Sequence, residues 1–466
     1  MERIPVPLSN RPISFYSRTF VSKWTAIVVT MLGILSIGNY SERVRRYGAR
    51  LRRRLLEHRT FAYLAVLGPG IIAANSGNDA SGIATYSTVG AAFGYSMLWT
   101  LIPVGISLAI VQEMCVRMGI VTGQGLADLI REHFGVRLTA IVMLALLIAN
   151  TGVVISEFVG IAQASELFGI SRYISVPVVT ALIWWLVVRG TQKGVERVFL
   201  LMSLVFLCYF VSAFLAEPDW GEVGRHFITP SFSTDTFYLF TMVALIGTTI
   251  TPFMQVFVQS SVVEKGMDTD DLTIARIDVV GGTVFACLIA AFIVITASAT
   301  LHVNGITEID SAATAAEAFA PIAGAYAKYL FGIGLFGAAM LAMGVLPLAT
   351  AYSISEALGF EKGISRSFRE APIFLGIFTA LMVLGCVVAL IPGIPQIKLL
   401  VLTQCINGLL LPFILVAIVN LSSNKEIMGE YANSRLFRWI AWMVTIIVSA
   451  LSLLLLGNTI ADIFGG

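Results

Sequence analysis

Long apolar windows constrain this chain more than any other feature of its sequence. About 20 consecutive apolar residues carry a helix across the roughly 30 Å hydrocarbon core of a bilayer, and such windows recur along the whole length. We count eleven: residues 61–90, 95–118, 136–165, 171–188, 195–216, 237–263, 277–301, 325–357, 373–391, 397–421 and 436–457. Backbone polar groups find no partners in lipid, so runs of this kind satisfy their own as helices. The expected class is an all-α, multi-pass protein of the cell (inner) membrane. Composition agrees, with 57% hydrophobic and only 12% charged residues, against about 25% charged in soluble domains. No nucleic-acid partner is expected, and we expect a monomer. The five cysteines all fall in apolar runs without CxxC spacing, so they are expected as buried helix residues rather than disulfides or a zinc site.

Basic residues test the count, because cytoplasmic loops carry the excess of Lys and Arg. Alternate loops hold Arg117, Arg131 and Arg137; Arg189, Lys193 and Arg197; Lys265 and Arg276; Lys362, Arg366 and Arg369; and Lys425, Arg435 and Arg438. The opposite loops hold only Arg172, Arg225, Lys328 and Lys398, among acids such as Glu217, Asp219, Glu222, Glu308 and Asp310. This places the N-terminus in the cytoplasm and the C-terminus outside. Residues 1–60 form a basic arm with the run Arg43 to Arg54. Its arginines are expected on anionic lipid headgroups. An extra membrane helix over 24–37 and a translation start at Met31 rather than Met1 are the alternatives.

Two of the eleven runs are interrupted. In 61–90 the stretch Asn75-Ser76-Gly77-Asn78-Asp79-Ala80-Ser81-Gly82 sets a carboxylate amid small polar residues. An ionisable group at that depth costs roughly 2.5–3.5 kcal/mol on insertion scales and persists with a partner, in transporters often an ion. In 237–263 the stretch Gly247-Thr248-Thr249-Ile250-Thr251-Pro252 interrupts the apolar pattern, and proline removes a helix hydrogen bond. One such break alone reads as a packing kink. Two breaks five spans apart point instead to an inverted-repeat transporter with its site at the membrane midplane.

With both breaks placed, the chain resembles the NRAMP family of divalent-metal transporters. Gly68-Pro69-Gly70 precedes the first break and Phe93-Gly94-Tyr95 to Trp99 opens the next span. Gly119 to Ala127 is similar to the family's loop after its second helix, and Gly334 to Gly344 to its eighth. Gln404 to Phe413 aligns with a helix whose glutamine helps bind metal. The resemblance implies a LeuT-type fold: two inverted five-helix repeats, 61–216 and 237–421, plus an eleventh helix over 436–457. It also implies a transported ion rather than a cofactor, and no enzyme activity. The residues agree on the last point: no HExxH occurs, and His58, His133, His226 and His302 map to loops or span ends.

The departures from the family are informative. Its Asp-Pro-Gly-Asn motif is here Asp79-Ala80-Ser81-Gly82, and its Met-Pro-His is Thr251-Pro252-Phe253. A soft thioether and an imidazole are gone, and hard ions prefer oxygen. Mg²⁺ takes oxygens at about 2.1 Å and keeps several waters. We therefore expect a partly hydrated Mg²⁺, with Mn²⁺ second, at a widened all-oxygen site. Its expected ligands are Asp79, the Gln404 amide oxygen, Thr251 and carbonyls near Ser76 and Thr248, with Gly82 leaving room. Asn78, Gln255 and Phe253 are expected around it, Asn78 and Gln255 either holding waters or capping half-helix ends, while Met254 reads as packing.

Proton coupling in the family involves a histidine, an acidic pair and an arginine. Here the histidine is Phe253, the acidic pair keeps only Glu157 beside Val154, and no Arg or Lys lies between Pro372 and Gln396. Transport by alternating access without proton coupling is the expectation, with Glu157 and Asp278 as coupling or gating candidates and Asp278 near a membrane interface. Glu113 and Arg117, four apart, are expected as a structural ion pair. Two rivals stay open: a proton-coupled Mn²⁺/Fe²⁺ symporter, and an organic-solute carrier of the same fold.

Overall fold

The computed structural model describes residues 68–309, 327–392 and 396–464. The arm over 1–60, the 24–37 run, His58, the start of the first span and Asp310 lie outside the described residues. Helices cover nearly all of what is described. Half-helices α1 (Pro69–Asn75) and α2 (Ala80–Phe93) flank the first break. The chain turns at Gly94, whose φ of +58° favours glycine, and runs through a 3-10 segment, Gly94–Thr100, into α3 (Leu101–Thr122). A short α4 (Leu126–Phe134) leads into the long α5 (Val136–Leu167), then α6 (Arg172–Arg189). Helices α7 (Gln192–Ser203) and α8 (Leu207–Leu215) make one span with a 3-10 turn inside it. A short α9 (Trp220–Ile228) follows.

The second break separates α10 (Thr236–Thr249) from α11 (Pro252–Glu264). After it come α12 (Leu272–Ala297), α13 (Ala327–Leu358), α14 (Pro372–Ala389), α15 (Gln396–Ser423), the short α16 (Lys425–Met428) and α17 (Arg435–Phe464). Ten stretches among the described residues are long and apolar enough to cross a membrane. One of them, Ala80–Thr122 at 43 residues, turns at Gly94 and joins the second half of the first broken span to α3. With α1 and α2 taken as one broken span the described helices are consistent with the eleven expected, and the interruptions fall where Asn, Ser and Gly crowd the first and Gly, Thr and Pro the second. Helices α4 and α9 were not anticipated, because nine-residue amphipathic segments are too short to stand out among membrane spans.

Burial locates the centre. In the α10–α11 span 89% of the most apolar window is enclosed, against 28% for α6, so the second broken helix is central and α6 faces lipid. Around it α10 packs along α15, α12 along α1 and α2, and α13 along α5. Glycines set two of these contacts at backbone distance. A Cβ at Gly70 of α1 would come within 2.8 Å of Val279 N, and one at Gly282 of α12 within 2.7 Å of Ile71 Cα. Between α10 and α15, a Cβ at Gly408 would sit 2.5 Å from the Val243 carbonyl oxygen. The ion pair of Glu113 with Arg117 is present at 3.0 Å, and Arg276 of α12 joins it at 2.9 Å. Arg117 also donates to Asn433 at 2.6 Å and to the Tyr431 carbonyl. This ties α3 and α12 to the connection before α17.

Gly281 and Gly282 make an internal control, because Gly281 has open space where its neighbour touches backbone. Gly282→Ala should destabilise the protein by ~1–3 kcal/mol through overpacking. Gly281→Ala should be neutral or stabilise slightly, by up to about 1 kcal/mol, since alanine is the better helix former. Thermal unfolding of both variants in the same detergent measures the difference.

Candidate metal site

The first break follows from how its amide groups are satisfied. In a continuous helix each carbonyl accepts from the N–H four residues on. For Ser76 that donor is Ala80, but Ala80 N–H donates to Glu157 Oε2 of α5 at 3.0 Å. Ser81 donates to Glu157 Oε1 from its N–H at 3.4 Å and its hydroxyl at 3.0 Å. The Gly82 N–H donates to Asp79 Oδ1 at 2.6 Å. Two carboxylates thus cap the N-terminus of α2, where the helix dipole favours negative charge. The carbonyl of Ser76 is left without its helical donor. Gly77 uses its own carbonyl to accept the Thr248 hydroxyl at 3.0 Å, which joins the two breaks.

The second break owes its free carbonyl to proline. The N–H that would serve Thr248 belongs to position 252, and Pro252 has none. Thr251 caps α11 with extended backbone, and its buried hydroxyl has no hydrogen-bond partner. Opposite both breaks, Gln404 of α15 donates from Nε2 to Asp79 Oδ1 and Oδ2, each at 3.4 Å. Asp79, Ser76, Thr248, Thr251, Glu157 and Gln404 are all fully buried, so this conformation is closed around them. Tyr86 OH and Thr249 Oγ1, 2.9 Å apart, lock α2 to α10 just beyond.

Several residues sit differently from expectation. Gly82 leaves no room here. A Cβ at this position would fall on the Gly77 carbonyl oxygen and within 2.8 Å of Thr248 Oγ1, because the backbone closes into the space. The widened site is therefore absent from this conformation. Asn78 turns away, donating to the Ala286 carbonyl of α12 at 3.1 Å. Asp278 has structural partners of its own. It is buried, and its carboxylate accepts from the N–H groups of Gly68 at 3.1 Å, Gly70 at 2.7 Å and Ile71 at 3.4 Å, capping α1 from α12.

Gln255 stays within its own neighbourhood. It donates to the Thr251 carbonyl at 3.4 Å and accepts from the Cys115 thiol at 3.8 Å. Phe253 is fully buried, as is Met254, whose methyl lies against Gly77. Of the histidines, His133 and His226 are on α4 and α9. His302 pairs with the Ala91 carbonyl at 2.8 Å beyond the end of α12. The sequence reading missed Asn407, buried one turn from Gln404, whose Nδ2 donates to Gln404 Oε1 at 3.1 Å. Two amides at i and i+3 in an apolar helix were the available signal.

Comparison with known proteins places these breaks in a family. The divalent metal cation transporter MntH of Deinococcus radiodurans is 26% identical over 432 residues, covering 90% of this chain and 95% of that protein. MntH 1 of Pseudomonas aeruginosa, also named a divalent metal cation transporter, is 30% identical over 408 residues, covering 84% and 90%. Among solved structures, the Eremococcus coleocola manganese transporter with an aromatic bis-isothiourea compound superposes with a TM-score of 0.71 at 19% identity. It covers 86% of this chain and 88% of that one. Mhp1, a nucleobase-cation-symport-1 family transporter in a closed conformation, gives 0.53 at 14% identity, covering 85% and 93%. These neighbours show the LeuT-type fold. The Nramp profile (natural resistance-associated macrophage protein-like) matches residues 70–458, and the chain belongs to the Nramp family.

Proposed function

We propose that this Nramp chain moves divalent cations across the membrane by alternating access, Mg²⁺ first and Mn²⁺ second, without proton coupling. The observation that carries the reading is Thr251: a buried hydroxyl without a partner, at the position where the family resemblance expects a thioether. Around it stand the Asp79 carboxylate, the Gln404 amide and the released carbonyls of Ser76 and Thr248, which together make an oxygen donor set suited to a hard ion. The ion is held partly hydrated. Since Gly82 offers no space in the closed form, the room for water comes with opening. The repeats 61–216 and 237–421 move against each other, the eleventh helix standing outside them. Basic loops face the cytoplasm and the arm over 1–60 lies against anionic headgroups.

One observation favours the second reading, a proton-coupled Mn²⁺/Fe²⁺ symporter. Met254 rests on Gly77, which brings a thioether to the first break although its position is shifted from the family's. In liposomes the two readings separate. The Mg²⁺ uniporter takes up Mg²⁺ equally with and without a proton gradient and carries Cd²⁺ poorly. Strong Cd²⁺ uptake that Met254→Leu abolishes, or acidification of the lumen with uptake, would establish the symporter instead.

Isothermal titration with Mg²⁺ tests the ligand set. Asp79→Ala should abolish binding, and Thr251→Val should weaken it about tenfold, the cost of one lost hard ligand. Asn78→Ala should leave the affinity unchanged, because its amide is committed to Ala286. Binding by Asp79→Ala at wild-type affinity would refute the site.

A further inference from the structure

Gln404 presents the wrong end of its amide for a cation ligand. Its Nε2 faces both oxygens of Asp79, while its Oε1 accepts from Asn407 Nδ2 at 3.1 Å. A carboxylate welcomes an N–H donor, but a cation bound to that carboxylate repels it. A backbone shift of α15 against α10 cannot resolve the conflict. A Cβ on Gly247 would fall on the Gln404 carbonyl and within 2.5 Å of Gly408 N, and Ser452 Oγ holds the Gly408 carbonyl at 3.2 Å. With α15 clamped at 404–408, the side chain must answer by turning its amide through 180°. The turn swaps donor for acceptor and barely changes shape.

Turning Gln404 alone would set its NH₂ against the NH₂ of Asn407. Asn407 removes that clash if it turns as well, because its Oδ1 is buried and accepts no hydrogen bond in the present arrangement. We propose that Gln404 and Asn407 form a coupled amide switch in which Asn407 positions Gln404 for the ion. Without cation the order runs Asn407 N–H to Gln404 Oε1 and Gln404 N–H to Asp79. With cation both amides reverse: Gln404 Oε1 meets the ion, and Gln404 N–H is accepted by Asn407 Oδ1. The second arrangement satisfies the Asn407 oxygen that the first leaves bare, and moves the Asn407 NH₂ into that oxygen's place. The geometry is close to what it needs. Cis oxygens around an ion with bonds of about 2.1 Å stand about 3.0 Å apart, and the turned Oε1 would start 3.4 Å from each Asp79 oxygen. Asn407 thereby turns a residue that stabilises the ion-free carboxylate into one that also binds the ion.

The proposal rests on the reading of Gln404 as a metal ligand, and the test separates the two. Mg²⁺ titration and liposome flux are run on the full chain with Gln404→Leu, Asn407→Leu and Asn407→Asp. Asn407→Leu should raise Kd and KM about tenfold at unchanged maximal rate, whereas Asn407→Asp, which can only accept at its carboxylate, should stay within about threefold of wild type. A merely structural role predicts instead a lower maximal rate and no rescue by Asp. Asn407→Ala makes the same comparison should Asn407→Leu fail to fold. If Gln404→Leu weakens binding while both Asn407→Leu and Asn407→Ala bind like wild type, the switch is wrong and the metal site stands. If Gln404→Leu itself binds like wild type, both fall.

Discussion

Breaking a helix inside a membrane protein strands backbone groups that lipid cannot satisfy, and this structure is arranged around that constraint. A buried N–H without a partner costs about 1–3 kcal/mol. The chain meets the cost at α1 and α2 with carboxylates brought from elsewhere. Asp278 reaches from α12 to three amides at the start of α1, and Glu157 reaches from α5 to two at the start of α2. Asp79 takes the next amide itself. The donors are thus consumed and the carbonyls are not. What remains free at the centre, from Ser76, Thr248 and Thr251, is oxygen, and oxygen is what a hard cation needs.

The same arrangement explains why buried acids in this chain are poor guides to coupling. Glu157 and Asp278 each have structural work at a helix end, and removing either would strand amides whatever its part in transport. Asp79 differs, because besides capping α2 its carboxylate faces the Gln404 amide. It is the carboxylate turned towards another residue of the candidate site as well as towards the backbone.

Much of this was legible in the sequence, and the parts that were not share a cause. The spans, the two breaks and Asp79 are local signals: apolar length, Gly and Pro placement, and a charge out of place. The carbonyl of Thr248 is local too, since Pro252 four residues on removes its donor. The capping role of Asp278 was not legible because its partners lie about 210 positions away in sequence, and nothing near residue 278 announces them. Asn78 reads as a site residue from its neighbours, yet its amide answers to Ala286 across a helix interface.

Gly82 shows why deleting a side chain does not by itself enlarge a site. The family's asparagine would need the volume now held by the Gly77 carbonyl and the Thr248 hydroxyl. Without a Cβ at residue 82, the two broken helices approach until those oxygens bond to each other. Packed interiors close small voids because unpaired surfaces forfeit contact energy. Selectivity therefore cannot come from a rigid, larger cavity. On the proposed reading it would come from which groups the collapsed break offers when it opens. A hydrogen bond from the Thr248 hydroxyl to the Gly77 carbonyl closes the break, and parting it would expose two oxygens at once. Under the proposed function, the substitution that removes a side-chain ligand leaves a backbone oxygen to take its place.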